Sequence, residues 1–221
     1  MGIETALRQL RTALEGSSAR LVAVSKTFPA QDILTAYEAG QRIFGESTAQ
    51  ELNEKYLALP KNIEWHFIGH LQSNKVKYIA PYVHLIHAVD SFKLLQTIDK
   101  EAAKNGRVID VLLQLDIADE ETKFGLSEAE IIDIIGNPSF PELHHVRICG
   151  LMGIATQTED ELKIEGEFIA LQRFFLRLQN TVFSDRPYFK EISMGMSHDY
   201  LLALKYGASL VRVGSLIFGR R

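Results

Sequence analysis

Eight short runs rich in β-branched and other apolar residues recur along this chain, and between them the apolar spacing changes to that of a helix. The runs fall at residues 21–25, 42–45, 64–68, 85–89, 111–115, 146–154, 191–194 and 210–213. Between two of them Ile164, Phe168, Leu171, Phe175 and Leu178 step by 4, 3, 4 and 3, which keeps them on one helical face. Leu95, Ile98 and Ala102 do the same on a shorter segment. Ser127 is placed to cap a helix carrying Ile131, Ile132 and Ile135, and Gly136-Asn137-Pro138 stops it. Strands that alternate with helices must pair in parallel and be covered on both faces. Two architectures satisfy this: a closed barrel and an open doubly wound sheet.

The count of eight and a length of 221 residues favour the barrel. No Gly-x-Gly-x-x-Gly follows the first run, which weakens the dinucleotide-binding alternative. The predicted fold is therefore α/β, a single (β/α)8 TIM barrel over residues 1–221, with an additional N-terminal helix. Ile3, Leu7, Leu10 and Leu14, spaced 4, 3 and 4, supply that helix. Only residues 214–221 follow the last strand, too few for a full outer helix. The N-terminal helix is expected to cover the barrel where that helix would lie.

Composition narrows the function. At 46% hydrophobic the chain can bury a sizeable core, and a net charge of −4 gives no general pull toward nucleic acid or anionic membrane. There is no apolar run long enough to span a bilayer and no signal-peptide pattern at residues 1–8, so a cytoplasmic protein is expected. The only cysteine, Cys149, lies in an apolar run and reads as a buried, inert thiol.

In a (β/α)8 barrel the site lies at the C-terminal ends of the strands. Lys26 follows the first run there. Burial and a nearby cation would lower the pKa of such a lysine and let its neutral amine attack an aldehyde; in an ordinary loop it would simply face water. Arg212, flanked by apolar residues, needs a partner: a core carboxylate, or a ligand atom at which it is aimed. The turns Ser193-Met194-Gly195-Met196-Ser197 and Gly214-Ser215 follow strands seven and eight, where barrels often bind phosphate. The seven histidines show no metal-ligand spacing with carboxylates or the cysteine. Met152, Met194 and Met196 read as apolar lining, residues 119–123 as a solvated loop, and Lys123 as the main competing amine.

Ala23-Val24-Ser25-Lys26-Thr27, Phe44-Gly45-Glu46, the block from Trp65 to Lys75, Gly150-Leu151-Met152, Ser193-Met194-Gly195-Met196-Ser197 and the block from Val211 to Gly219 together resemble the pyridoxal phosphate homeostasis proteins. The resemblance implies an alanine racemase-like barrel without the racemase C-terminal β domain, binding pyridoxal 5′-phosphate (PLP). It implies that Lys26 carries PLP as a Schiff base and that Arg212 faces the pyridine nitrogen. Ser193, Gly214 and Ser215 would hold the phosphate, with Met194 and Ser47 as further cofactor contacts. The family usually has asparagine where this chain has Ser47, and a hydroxyl cannot reproduce an amide's donor and acceptor pair. The implied role is intracellular vitamin B6 balance without catalysis, the partners being PLP and transient PLP-accepting apo-enzymes, and the state a monomer. The alternatives are a small PLP-dependent racemase or lyase, and a phosphate-binding barrel whose Lys26 never attacks a carbonyl.

Overall fold

The computed structural model describes residues 2–118 and 125–219. Helix α1 (Ile3–Leu14) precedes β1 (Arg20–Val24), α2 (Ala30–Glu38), β2 (Ile43–Glu46), α3 (Ala49–Ala58), β3 (Glu64–Phe67), α4 (Val76–Ile79) and β4 (Leu85–Val89). Then come α5 (Phe92–Lys104), β5 (Ile109–Gln114), α6 (Glu128–Ile135), β6 (Val146–Met152), α7 (Glu161–Asn180), β7 (Glu191–Ser193), α8 (Tyr200–Lys205), β8 (Leu210–Val213) and α9 (Ser215–Phe218). All the strands stand within two residues of the expected runs. They pair in parallel in sequence order, and β1 pairs with β8, Ala23 opposite Val213, to close the barrel.

Alternation along each strand sorts the side chains. Outward residues such as Ala23, Phe44, Trp65 and Val211 join the large cluster under the helices. Inward residues Val22, Leu85, Leu112, Cys149, Met152 and Leu210 form a separate small cluster inside the barrel. Burial pushes the Cys149 thiol up to about 12, which keeps it protonated and inert as expected.

The register slips between β5 and β6 after Val111, opposite the stretch that holds Gly150. Gly150 has φ +155°, and a Cβ there would sit 1.8 Å from the Glu191 carbonyl oxygen, so only glycine fits this bulge.

Local signals agree with the fold. Ser127 and Glu130 form a reciprocal capping box on α6. Helix α1 packs against both α2 and the four-residue α9, so it lies on the outside of the barrel beside the short helix that follows the last strand. Among the described residues no helix is long and apolar enough to cross a membrane.

Candidate functional site

Strand β1 ends at Val24, so Lys26 lies just beyond the sheet in a turn closed by the Phe28 N–H on the Ser25 carbonyl at 3.1 Å. The lysine is exposed at the rim, not buried. The next residue, Thr27, has φ +69° and is the only non-glycine residue with positive φ among the described residues. A left-handed threonine costs about 1–3 kcal/mol and persists only where its surroundings hold it. Here the surroundings are identifiable. The Thr27 N–H donates to the Glu51 carboxylate. The Lys55 ammonium donates to the Ser25 carbonyl, to Glu46 Oε1 and to Glu51 Oε1, each at 2.7 Å. The Ser25 hydroxyl donates to Glu46 Oε1 at 2.6 Å. Lys55 and Glu46 are buried, and Glu46 Oε2 has no partner. Burial raises the Glu46 pKa, opposed by the Lys55 and Ser25 contacts.

Arg212 points inward from β8 and is 5% exposed. Its Nη1 donates to Ser193 Oγ at 2.6 Å and its Nη2 to the Gly153 carbonyl at 2.9 Å. Among the described residues no carboxylate lies within ion-pair distance of it. The structural ion pair considered from sequence is therefore replaced by neutral acceptors. Burial lowers the guanidinium to about 10, opposed by the charge of Asp199. Behind Ser193 a chain of rings continues across the bore: His87 Nδ1 is 2.8 Å from Ser193 Oγ, and His87 Nε2 is 2.9 Å from His66 Nδ1. Burial holds both imidazoles well below their ordinary pKa, hence neutral.

This geometry places two of the expected site residues. Ser193 was expected to hold phosphate, but its hydroxyl faces inward and is already engaged by Arg212 and His87. Met194, the next residue, points the opposite way into the core under the helices, so only its backbone belongs to the turn. Ser197, which the sequence reading did not single out, takes the position at the turn: its Oγ accepts the Gly214 N–H at 3.2 Å. Asp199 fixes that turn by accepting the Met196 N–H at 2.5 Å. Gly214 is half-buried, and a Cβ there would meet the Val24 carbonyl oxygen at 3.0 Å. The turn after β8 thus lies against the end of the strand that presents Lys26. Ser215 is exposed at the start of α9, whose first N–H groups have no intrahelical acceptor.

Ser47 is half-buried and borders a cavity of about 420 Å³, with Thr48, Glu51, His70, Gln72 and Lys75 also at its wall. His70 Nδ1 is 2.9 Å from Asp90 Oδ2 at the same rim. After β6, Glu167 of α7 accepts both the N–H and the hydroxyl of buried Thr156, at 2.7 and 2.5 Å. Lys123 lies outside the described residues.

The family model of the alanine racemase N-terminal domain matches residues 2–221. A pyridoxal phosphate homeostasis protein of Aquifex aeolicus is 39% identical over 204 residues, which is 92% of this chain and 87% of that protein. The one from Schizosaccharomyces pombe is 36% identical and covers 96% of this chain and 89% of its own length. Among solved structures, PipY of Synechococcus elongatus with PLP bound has a TM-score of 0.87 at 36% identity, covering 98% of this chain and 100% of that one. Alanine racemase from Streptomyces lavendulae shares the fold, with a TM-score of 0.80 at 17% identity over 99% of this chain and 57% of the racemase. By sequence along nearly its whole length, and by fold, this chain belongs to the alanine racemase N-terminal domain family and, within it, to the pyridoxal phosphate homeostasis proteins.

Proposed function

We propose that this chain binds PLP on Lys26 at the C-terminal mouth of the barrel and acts in PLP homeostasis, as one domain over residues 1–221. The observation that carries the reading is Arg212: a buried cation, held only by neutral acceptors, on the strand beside the one that leads to Lys26. Those two bonds use two of the five N–H donors of a guanidinium, which leaves donors for a ligand. The residues present fit the cofactor. Its phosphate would rest on the Ser197 hydroxyl and on the backbone of Gly214 and Ser215, at the turn that lies against Val24 beside Lys26. Its ring nitrogen would face Arg212. Ser47 stands where relatives of this family usually have asparagine and would supply at most a hydroxyl contact.

When bound, PLP supplies a reactive aldehyde and, if its ring nitrogen carries a proton, a sink for electrons. The residues of this chain favour the first property over the second. Lys26 offers an amine at the rim, on a turn fixed by Lys55, Glu46 and Glu51. Arg212 holds a positive charge where a ring proton would have to sit, which disfavours that proton. The Ser193–His87–His66 chain keeps the guanidinium in place from behind. Holding and releasing an aldehyde therefore suits the site better than carbanion chemistry, and no catalytic role is assigned. PLP-accepting apo-enzymes are the proposed transient partners, and the cytoplasm and a monomeric state the proposed setting.

The test is an absorption spectrum of the protein with PLP before and after borohydride, followed by peptide mass spectrometry. The expected result is a pyridoxyl group fixed on Lys26 and absent after Lys26→Ala. A label found only on Lys123 or another lysine would refute the assignment. Exchange of an amino acid's α-hydrogen in deuterated water would replace the storage role with a racemase or lyase.

A further inference from the structure

The N-terminal end of the barrel carries side chains that the mouth does not use. Glu64 and His66 are two residues apart on β3 and so share a face of that strand. His84 directly precedes β4, placed by its own N–H donating to the Trp65 carbonyl at 2.8 Å. One ligand atom from each of Glu64, His66 and His84 lies within 4.8 Å of the other two, the only such group among the described residues. The sequence spacing hid it, because His84 lies 18 residues after His66 and joins it only when β3 and β4 pair.

A second observation points to a ligand. His66 is fully buried, and its Nε2 has no hydrogen-bond partner. Its other nitrogen, Nδ1, is held 2.9 Å from His87 Nε2. Metal-binding histidines have this arrangement: one nitrogen goes to the ion, and the other is fixed by a hydrogen bond that sets the tautomer and the ring plane. His66 also lines a cavity of about 320 Å³, which His84, Arg20, Asp110, Arg147 and Glu191 border. That leaves room for water on an ion. The cations there are answered in place, Arg20 by Glu191 at 2.7 Å and Arg147 by Asp110 at 2.6 Å, while Lys190 at the edge is exposed.

We propose that Glu64, His66 and His84 form a site for a divalent transition-metal ion of the zinc type, completed by water. Two imidazoles and one carboxylate suit such an ion better than calcium or magnesium, which prefer oxygen ligands. Metal–ligand bonds of roughly 2.0–2.1 Å in a tetrahedral site place ligand atoms about 3.3 Å apart. His84 Nε2 and Glu64 Oε2 are 3.7 Å apart, and their side chains are 49% and 42% exposed. Both side chains stand at the surface beside fully buried His66.

The test is zinc titration calorimetry on the full-length protein after dialysis against EDTA. Visible spectra with Co²⁺ would report the coordination number. One equivalent of zinc is expected, with an affinity at least about tenfold weaker in His84→Ala and in Glu64→Gln, and four-coordinate bands for Co²⁺. Both substitutions are at exposed side chains, so folding, checked by circular dichroism, should survive. Lys26→Ala should bind zinc like the parent. The proposal is overturned if the parent retains no more zinc than the His84→Ala/Glu64→Gln double variant. It is equally overturned if either single variant binds as tightly as the parent, or if Lys26→Ala abolishes binding.

Discussion

Replacing Lys55 with methionine tests whether a buried ion cluster, and not the turn's own sequence, holds Lys26 in position. Lys55 is 6% exposed, and its ammonium reaches three oxygens at 2.7 Å. Methionine keeps most of the apolar stem, so the loss is the charge and its hydrogen bonds. What remains is the fully buried Glu46 carboxylate, with the Ser25 hydroxyl on Oε1 and nothing on Oε2. Removing one partner of a buried pair costs about 3–5 kcal/mol. For a chain of this size each kcal/mol lowers Tm by about 2–4 °C, so a fall of roughly 6–20 °C is expected. The pH dependence supplies a sign. Burial raises the Glu46 pKa above its ordinary 4.5, so the folded state binds this proton more tightly than the unfolded state does. Stability from this group is therefore present in acid and falls as pH rises from the unfolded value through the folded one. Lys55 opposes that shift, so its loss raises the folded value further. The deficit of Lys55→Met should then be small near pH 5 and large near pH 8. Urea unfolding midpoints at both pH values measure it. Adding Glu46→Gln should restore most of the loss at the higher pH, since neither charge then remains. The reasoning fails if Lys55→Met stays within about 1 kcal/mol of the parent near pH 8. It also fails if the deficit is the same at both pH values or if the double variant is no better than the single.

Ser197→Ala should weaken PLP retention in equilibrium dialysis more than Ser193→Ala does, whereas Ser193→Ala should shift the absorbance of bound PLP by loosening Arg212. The reverse pattern would return the phosphate contact to Ser193. Gly150→Ala forces a Cβ to within 1.8 Å of the Glu191 carbonyl oxygen, so little soluble folded protein is expected. A thermal midpoint near that of the parent would show that the bulge can relax. Glu167→Gln gives up a charged acceptor for both the Thr156 N–H and its hydroxyl; a loss of about 1.5–3 kcal/mol is expected in urea unfolding, and no change would mean that water replaces it.

The barrel was legible because strands buried on both faces are written as short continuous apolar runs, and the helices between them keep a different period. The address of Lys26 was legible for the same reason, since it needs only the end of β1. Its exposure was not, because that depends on where the sheet stops, and β1 stops at Val24, one residue short of the run read from sequence. Lys55 was illegible for a different reason. It follows Glu51 and Glu54 on a helix with an ordinary polar face, and nothing local separates it from a solvated lysine. It becomes a buried hub only when α3 is laid against the ends of β1 and β2, a relation between distant segments that no spacing rule encodes.

Strand parity is the signal that would have found more of the site. In a barrel every second residue of a strand faces the bore. Leu210 is inward, so Arg212 is inward, and on β7 Ser193 shares the inward face while Ile192 and Met194 take the outward one. Applied to β3, the same alternation puts Glu64 and His66 together on the inside. Polar residues at inward positions are costly unless they are bonded to one another, so His66, His87, Ser193 and Arg212 have to form a connected chain once the barrel closes. The distances of 2.9, 2.8 and 2.6 Å along it show that they do. Parity also separates the two serines that motif reading treats alike. Ser193 is still in the strand and must face the bore, behind the guanidinium, whereas Ser197 is past the strand's end and is free to meet Gly214 at the mouth. A site residue in this fold is therefore assigned by which side of the strand's last hydrogen bond it falls on, before its chemistry is considered.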